Sequence, residues 1–530
     1  MRETRLTPLT PADIRRHLAR NLVLGEFFAR NARRYPEKPA VVTEEGAFTY
    51  RDLDERVNRL ANALIDLGVS RGEKVAVFMP NSSRTIESYY AAHKCGAVVV
   101  PVNIRLSPKE VQYILDHSDA RVLLYDKALE ETVRAVRQER LRIEHWVVAG
   151  EPEPKGALEY EALVASGRPD EPLVPVDDND VCYIAYTAGT TGRPKGAMIT
   201  HKNAAMTAMI SIASFRIGPE DRYFVAPPIF HVAGFGAVNI CFQVGATVLL
   251  KRTFDPKEIL KFMASEKATL AVLVPVMWNL ILKDPDLSRF DLRSLRLGLS
   301  GGAVLQTEIK RKVREVFPSC AGIVDIFGQT EAAPTCALLP EEADRKPGSV
   351  GRPLPHIEVR VVGEDGREVR PGEVGEIQYR GPTTFLGYYK EPERTEEAFA
   401  DGWFRSGDLV RTDEEGFVYV VDRRNDTIVS GGENVYPVEV ERVLFEHPKI
   451  VEAAVVGIPH EKWGEAVHAF IVLKPGETLT AEELSEHCRK HLAGYKIPRS
   501  FDVVAELPRN AAGKVLRREL RRKYGSAIRY

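Results

Sequence analysis

The chain has 530 residues, of which 44% are hydrophobic and 28% are charged, and a chain this long is expected to fold into two or more domains. Its net charge of −2 excludes the large basic surplus typical of nucleic-acid binding. Six cysteines without short spacings argue against a zinc site or a disulfide framework, and no secretory or membrane-spanning segment is predicted, which favours a cytoplasmic protein.

From residue 74 onward, short apolar strands alternate with amphipathic helical segments. Strands at Val75–Met79, Val98–Val102 and Arg121–Tyr125 are separated by helices at Arg84–Cys95 and Pro108–His117. This β-α-β-α-β order indicates parallel strands with helices packed on the sheet. The alternation resumes after residue 220, so we predict an α/β fold whose large N-terminal domain contains doubly wound sheets.

A segment rich in glycine and threonine, Tyr186–Met198, joins two of the predicted strands. Glycines let backbone N–H groups approach an anion, while hydroxyls and a lysine suit the oxygens of a polyphosphate. The segment is not a Walker A loop, because Pro194 precedes Lys195 and Gly196 follows it. It predicts a phosphate-binding loop with the candidate ligands Thr187, Thr190, Thr191 and Lys195.

A second group of polar residues follows the predicted strand Ile323–Phe327. Ligands of α/β proteins bind at the carboxyl ends of the strands, which is where Thr330 and Glu331 are placed. A carboxylate beside a polyphosphate is repelled unless a divalent cation lies between them, so Glu331 is a candidate Mg²⁺ ligand. An exposed loop acid remains the alternative interpretation of Glu331.

Two further regions complete the chain. Short alternating strands predict a small β subdomain at about residues 341–422, in which Asp408 lies in a glycine turn that suits ribose hydroxyls. A separate α+β pattern follows, and we predict a large domain at 1–424 and a small C-terminal domain at 425–530. Lys514 follows a glycine turn near the end of that domain.

Five segments taken together resemble the adenylate-forming superfamily, and the resemblance covers nearly the whole chain. The acyl-CoA synthetase branch is the most similar. The resemblance implies that the small C-terminal domain rotates between two half-reactions. The segments are Tyr186–Met198, Asp325–Glu331, Trp403–Leu409, Val421–Pro437 and Pro508–Val515.

The resemblance implies roles for individual residues in ATP binding. The segment Thr187–Lys195 would surround the β- and γ-phosphates, and Thr330 would contact the α-phosphate. Glu331, with help from Thr187, would hold Mg²⁺. The adenine slot would be formed by Gly302, Ala303 and Asp325, and the ribose hydroxyls would be bound by Asp408 and Arg423.

The resemblance also implies roles for residues of the C-terminal domain. Lys514 would bridge the substrate carboxylate and the α-phosphate during adenylation. Gly432 would lie beside the pantetheine arm of coenzyme A after the rotation. The rotation hinge falls on Asn425, where relatives usually have Lys or Asp.

The implied reaction has two steps: a carboxylate and ATP form an acyl-adenylate and pyrophosphate, and coenzyme A then displaces AMP. His231 would gate the acyl pocket. The remaining positions of the pocket are small or apolar, which favours a medium- to long-chain fatty acid, with an aryl or hydroxycinnamate acid of the feruloyl or coumaroyl type as the alternative. They are Ala233, Phe235, Ala237, Gly302, Gly328 and Pro334.

Two other interpretations stay open at this point. The sequence Gly298–Gly302 matches the G-x-S-x-G pattern of serine esterases, with Ser300 as the nucleophile. An esterase of this kind also needs a later Asp and a later His, and nothing around the candidates distinguishes them. The resemblance leaves a homodimer open as the assembly.

We expect Lys514→Ala to cripple acyl-adenylate formation while largely sparing thioester formation from preformed acyl-adenylate. Removing one group that stabilises charge in a transition state typically lowers the rate about 10²- to 10³-fold. Both half-reactions should be measured separately on the same preparation. An equal loss in both steps would contradict the assigned role of Lys514.

Overall fold

A computed structural model describes residues 22–139, 141–151, 155–187, 194–302, 305–332, 334–423, 426, 428–430, 433–460, 463–492, 494–509 and 515–522. The chain divides into two compact units. Unit 1 comprises Met1–Asp344, Pro353–Ile357 and Arg380–Phe399, and unit 2 comprises Arg345–Arg352, Glu358–Tyr379 and Ala400–Tyr530. The division predicted at residues 424 and 425 stays a prediction.

Strands and helices alternate along most of the chain. The strands are β1 (Pro39–Thr43), β2 (Gly46–Thr49), β3 (Lys74–Phe78), β4 (Val98–Pro101), β5 (Ala120–Asp126), β6 (His145–Ala149), β7 (Leu158–Glu159), β8 (Val181–Thr187), β9 (Lys195–Thr200), β10 (Arg222–Val225), β11 (Thr247–Leu250), β12 (Leu270–Val272), β13 (Leu297–Gly301), β14 (Ile323–Phe327), β15 (Cys336–Leu338), β16 (Arg352–Pro353), β17 (Glu358–Val362), β18 (Gly375–Arg380), β19 (Gly387–Tyr388), β20 (Phe399–Ala400), β21 (Trp403–Thr412), β22 (Val418–Arg423), β23 (Ile428–Ser430), β24 (Glu433–Val435), β25 (Ile450–His460), β26 (Gly464–Leu473) and β27 (Ser500–Val503).

The helices lie mostly between the strands of unit 1. They are α1 (Leu24–Arg34), α2 (Tyr50–Asp66), α3 (Ser83–Lys94), α4 (Pro108–His117), α5 (Glu130–Val136), α6 (Tyr160–Ser166), α7 (His201–Phe215), α8 (Val232–Val244), α9 (Pro256–Ser265), α10 (Pro275–Leu282), α11 (Thr307–Val316), α12 (Pro392–Glu397), α13 (Pro437–Phe445), α14 (Ala481–Arg489) and α15 (Arg517–Arg522).

Two sheets form the framework of unit 1. The strand order of the N-terminal sheet is β19-β9-β8-β4-β3-β5-β6-β7, and the central sheet includes the order β15-β14-β13-β12-β10-β11-β1-β2. Neighbours such as β4, β3 and β5 pair in parallel, whereas β8, β9 and β19 pair antiparallel. Parallel neighbours need crossover connections, which the helices supply. The predicted α/β class with doubly wound sheets is confirmed.

The strands of these sheets are apolar because helices cover both faces. All four residues of β4 and of β11 are buried. The core of the central sheet packs β-strand residues such as Phe224 and Ile323 against Trp278 and Val313 of the helices. Trp278 also donates a hydrogen bond from its indole to the carbonyl of Leu299 at 3.2 Å, so its one polar group is satisfied.

Unit 2 contains smaller sheets, whose pairs include the antiparallel β25 and β26 and the parallel β26 and β27. One has the order β17-β18-β21 with β22 beside β21, and the other has the order β24-β23-β26-β25 with β27 beside β26. The basic helix α15 is anchored in this unit, since Arg517 forms ion pairs with Glu441 at 2.7 Å and with Asp426 at 3.3 Å. Part of the positive charge of this segment is therefore balanced within the protein.

The cysteines have a packing role. All six are unpaired and buried, and burial raises the pKa of the Cys95 thiol to about 12. Protonated thiols behave as small apolar side chains. Among the residues that the structure describes, no helix has both the length and the apolar composition that crossing a bilayer requires.

Two buried histidines pack between α3 and α7 in unit 1. His93 is completely buried, and neither of its ring nitrogens has a hydrogen-bond partner. Its ring lies 5.4 Å from that of His201 and 5.9 Å from that of Phe235. Burial holds the pKa of His93 well below its usual range, helped by His201, and burial lowers the pKa of His201 to about 4. Both rings are neutral at pH 7.

We expect His93→Phe to reduce the sensitivity of the protein to mild acid. In the unfolded chain a histidine binds a proton below about pH 6.5, whereas buried His93 does not, so stability falls as the pH drops below that value. Replacing the histidine with an apolar ring of similar shape removes this contribution. The measurement is the apparent melting temperature between pH 7.5 and pH 5.

His491→Gln, at an exposed histidine of unit 2, is the matched control and should leave the pH profile unchanged. If the wild-type and His93→Phe profiles run parallel, the buried ring does not contribute to acid sensitivity.

Candidate active site

The antiparallel pair β8 and β9 places two predicted phosphate ligands side by side. Thr187 ends β8 and Lys195 begins β9, and the two residues are partners in the strand register. The hydroxyl oxygen of Thr187 is buried and has no hydrogen-bond partner among the residues that the structure describes. A buried hydroxyl without a partner is costly, so this oxygen is available to a ligand. Thr190 and Thr191 lie outside the described residues.

Lys195 and Glu331 form an ion pair at the end of this hairpin. The lysine Nζ lies 3.1 Å from Oε1 of Glu331, whose side chain is only 7% exposed. The hydroxyl of Tyr388 donates to the same carboxylate oxygen at 2.8 Å. The Nζ also contacts the Tyr388 hydroxyl and lies 4.1 Å from the centre of its ring. The buried carboxylate thus has one cationic and one neutral donor.

The chain positions these three residues through separate elements. Glu331 follows β14, and its carbonyl accepts a hydrogen bond from the backbone N–H of Phe385 at 2.8 Å. Tyr388 lies on β19, opposite Ala197 of β9. Burial raises the pKa of the Tyr388 hydroxyl, and the charge of Glu331 raises it further. Tyr388 therefore remains a hydrogen-bond donor at neutral pH.

The carboxyl ends of β13 and β14 form the region predicted to bind adenine. Asp325 of β14 is the register partner of Ser300, and its Oδ2 lies 2.7 Å from the Nζ of Lys310 on α11. Burial raises the pKa of the Asp325 carboxyl, although Lys310 opposes that effect. Gly302 follows β13 with φ of 83°, and a Cβ there would meet no atom within 4 Å. Ala303 lies outside the described residues.

The residues predicted to contact the α-phosphate and part of the acyl group follow β14. Gly328 and Thr330 are half-buried, and Pro334 is buried. Thr330 directly precedes Glu331, so the predicted α-phosphate contact and the Lys195 ion pair lie on adjoining residues.

His231 directly precedes α8, which carries the predicted pocket residues Ala233, Phe235 and Ala237. Its Nε2 is buried without a hydrogen-bond partner. Burial lowers the pKa of His231 to about 4, and the charge of Arg105 contributes in the same direction. The gate residue is therefore a neutral imidazole at physiological pH.

The predicted pocket positions on α8 differ in their surroundings. Ala233 is exposed and Ala237 is buried. The ring of Phe235 stacks on that of Tyr183 at 4.9 Å, with 6° between the planes, and lies 5.6 Å from that of Tyr89. Phe235 thus packs in an aromatic cluster between α8, α3 and β8.

The residues predicted to bind ribose lie in unit 2. Asp408 of β21 and Arg423 of β22 are direct partners across the antiparallel pair. Asp408 is buried, and its backbone N–H donates to the Ser406 hydroxyl at 2.9 Å. The structure therefore places two residues 15 positions apart in sequence next to each other. Gly432, Asn425 and Lys514 lie outside the described residues.

Two residues contact predicted ligands, but no motif or spacing in the sequence predicts these contacts. Tyr388 is 57 positions from Glu331, and Lys310 is 15 positions from Asp325. Neither lies in a motif, and neither spacing corresponds to one helix face or one strand. Knowledge of the strand order, which brings β19 beside β9, is needed to find Tyr388.

Ser300 lacks the surroundings of a nucleophile. Its side chain is completely buried, and its hydroxyl oxygen has no hydrogen-bond partner. A nucleophilic serine needs a general base within hydrogen-bond reach and access for the substrate. The geometry therefore gives the esterase alternative no support.

Comparisons with known proteins identify the class. The model of the AMP-binding enzyme family matches residues 28–389, and the model of the AMP-binding enzyme C-terminal domain matches residues 439–514. The chain belongs to this family of adenylate-forming enzymes. Within the family it is an AMP-forming acid:CoA ligase, as its relatives show, and the predicted enzyme class is confirmed.

Three similar proteins illustrate the relationship. Feruloyl-CoA synthase of an Amycolatopsis species is 39% identical over 96% of this chain and 100% of its own length. Long-chain-fatty-acid–CoA ligase FadD13 of Mycobacterium tuberculosis is 34% identical over 91% of this chain and 94% of its own. The crystal structure of the anthranilate CoA ligase AuaEII in complex with anthranoyl-AMP superposes with a TM-score of 0.88 at 30% identity, covering 94% of this chain and 97% of the other.

We expect Lys310→Met to destabilise the protein by about 3 kcal/mol at pH 7.5, because it leaves the buried carboxylate of Asp325 without its cation. The raised pKa of Asp325 means that its ionised form is disfavoured in the folded state. The loss should therefore shrink as the pH falls and the carboxyl takes up a proton. Denaturant unfolding at several pH values measures both effects.

Arg293→Met is the matched control, because Arg293 pairs with Asp291 on the surface and surface pairs contribute little. We expect no measurable change for this variant. A Lys310→Met variant as stable as the wild type would show that the buried pair is dispensable.

Proposed function

We propose that this ligase binds ATP at the end of the β8–β9 hairpin and activates an aryl acid of the hydroxycinnamate type. The Lys195–Glu331 ion pair, beside the unpartnered hydroxyl of Thr187, carries the assignment of the phosphate site. Lys195 and Glu331 pair at 3.1 Å, and Thr187, the register partner of Lys195, has a hydroxyl without a partner among the described residues.

The donor set of this site suits a magnesium nucleotide. Among the described residues, no three His, Cys, Asp or Glu side chains cluster as a metal centre. Mg²⁺ in nucleotide enzymes is usually held by one or two protein oxygens together with substrate phosphates, and Glu331 and Thr187 match that requirement. Bound Mg²⁺ would neutralise negative charge on the phosphates.

The first step is proposed to join the acid to the α-phosphate. An oxygen of the substrate carboxylate attacks the α-phosphorus, and the bond to the bridging oxygen of pyrophosphate breaks. Lys195 turns from Glu331 to the β- and γ-phosphates and holds the leaving pyrophosphate. Thr330 contacts the α-phosphate, and Lys514 would meet the charge that develops between the acid and that phosphate.

The nucleoside is proposed to be recognised at two places. The carboxylate of Asp325 accepts a hydrogen bond from the exocyclic amino group of adenine, beside Gly302 at the end of β13. Asp408 and Arg423, paired across β21 and β22, would bind the ribose hydroxyls.

The second step is proposed to follow a rotation of residues 425–530 about Asn425. The rotation would withdraw Lys514 and bring Gly432 beside the pantetheine arm of coenzyme A. The thiol sulfur then attacks the acyl carbonyl, and AMP leaves with the electrons of the broken C–O bond. One small domain thus serves both half-reactions.

The proposed identity of the acid is supported by the relatives. Relatives named for an aryl acid reach 39% identity, and one named for a long-chain fatty acid reaches 34%. The sequence favoured a fatty acid and kept an aryl acid as the alternative. We now place the aryl acid first because of these identities. A fatty acid remains the competing substrate class.

The proposal also covers the cellular compartment, the co-substrates and the assembly. Six unpaired, buried cysteines suit the reducing cytoplasm. The proposed co-substrates are ATP, coenzyme A and a small-molecule acid, without nucleic acid, and a homodimer is a compatible assembly.

We expect aryl propenoic acids to give a kcat/KM at least about tenfold above saturated fatty acids, which is the discrimination that a shaped apolar pocket typically supplies. ATP–pyrophosphate exchange over a panel of acids measures the first step. The second step, thioester formation, is measured by AMP release with coenzyme A and, for comparison, with a pantetheinyl carrier protein as the acceptor.

Lys195→Met should lower pyrophosphate exchange about 10²-fold. Its matched control is Lys257→Met at an exposed lysine paired with Asp286, which should leave exchange unchanged. A preference for fatty acids would overturn the proposed aryl acid. AMP release without formation of acyl-CoA would overturn coenzyme A as the acyl acceptor.

A further inference from the structure

The C-terminal half of α4 contacts both strands that carry the predicted phosphate ligands. The Tyr113 hydroxyl donates to the carbonyl of Pro194 at 3.1 Å, and Nδ1 of His117 is hydrogen-bonded to the Tyr186 hydroxyl at 2.8 Å. Pro194 directly precedes Lys195, and Tyr186 directly precedes Thr187. One helix therefore touches the neighbour of each ligand.

The two contacting side chains act as one surface of α4. Tyr113 and His117 are four residues apart and lie on the same helix face. Their rings stack with centroids 5.4 Å apart and 25° between the planes. The edge of His117 also packs against Tyr186 at 5.8 Å. Each ring therefore limits the motion of the other.

The rest of α4 is held by the core of unit 1. Val111, Ile114 and Leu115 are almost completely buried and pack in the cluster under the N-terminal sheet. A capping box between Ser107 and Glu110 fixes the start of the helix. The helix is thus a rigid support for side chains that project from its last turns.

The protonation states around His117 keep the contact intact at neutral pH. Burial lowers the pKa of His117, and the charge of Lys390 lowers it further. Burial also raises the pKa of the Tyr186 hydroxyl. A neutral imidazole and a protonated phenol form one hydrogen bond, which needs no charge on either partner.

We propose that Tyr113 and His117 are positioning residues for ATP, because they fix the backbone that presents Thr187 and Lys195 to the phosphates. The inference rests on the proposed phosphate site. The hydrogen bonds of Tyr113 and His117 go to Pro194 and Tyr186, the neighbours of Lys195 and Thr187, so their influence comes through these two residues. Preorganised groups lose less freedom when they bind a ligand, so the arrangement favours nucleotide binding.

The role predicts a selective effect on the first half-reaction. Tyr113→Phe keeps the stacked ring but removes the hydrogen bond to Pro194, and we expect the KM for ATP in pyrophosphate exchange to rise about three- to tenfold, as expected for one neutral hydrogen bond. Thioester formation from preformed acyl-adenylate does not use the pyrophosphate site. Its rate should stay within about twofold of the wild type.

His117 is tested by a pair of substitutions. His117→Phe removes the ring nitrogen that contacts Tyr186 and should raise the KM for ATP by a similar factor. His117→Gln retains a hydrogen-bonding group and should recover part of the loss. Recovery by the polar variant separates the hydrogen bond from packing of the ring.

Tyr125→Phe is the matched control. It also removes one tyrosine hydroxyl contact, from Tyr125 to Glu130 at 2.8 Å, on β5 of the same sheet, and it should leave the KM for ATP unchanged. An unchanged KM in Tyr113→Phe, or an equal loss in both half-reactions, overturns the positioning role. A wild-type protein without any pyrophosphate exchange overturns the proposed function itself.

Discussion

The buried carboxylate of Glu331 needs compensating donors, and this need links the residues of the proposed phosphate site. Glu331 is almost completely buried, and a carboxylate in that position is unfavourable unless cations and hydrogen-bond donors compensate for the lost water. Lys195 and Tyr388 supply that compensation. They come from β9 and β19, while Glu331 follows β14, so three distant segments must be in place at the same time.

The same interaction links the resting site to the proposed chemistry. The formal net charge of the chain is −2, so a polyphosphate must be met by local cations. Lys195 is already held by Glu331, and its move to the phosphates would leave the carboxylate to another cation. Under the proposed function, Glu331 would then hold Mg²⁺, which would neutralise charge on the phosphates.

The neighbouring elements show how neutral contacts support a charged site. Tyr388, Tyr113 and His117 each contact a residue or backbone segment of the hairpin through a hydrogen bond. Their rings are stacked or buried, which limits the number of positions that the charged groups can occupy. Burial lowers the pKa of His117 and raises that of the Tyr388 hydroxyl, which favours the neutral form of both groups near pH 7.

The sequence alone was sufficient to predict features that depend on residues close together in the chain. The alternation of strands and helices, and the candidate ligands Thr187 and Lys195 in one glycine-rich segment, follow from residue types and short spacings. Glu331 was predicted as a candidate ligand because a carboxylate follows a strand end, where ligands bind in α/β sheets. The scattered cysteines argued against a zinc site or a disulfide framework, and the near-zero net charge argued against nucleic-acid binding. Both arguments use composition and spacing alone, which need no three-dimensional information.

Tertiary structure decided what depends on strand order and burial. Tyr388 reaches Glu331 only because β19 pairs with β9, and Lys310 reaches Asp325 only because α11 packs over the ends of β13 and β14. Ser300 matched a nucleophile motif, and only its complete burial without a partner removed that support. The sequence determined which residues could bind phosphate, because those residue types are close together in the chain. The fold decided which side chains balance and position them, because such contacts depend on distance in space.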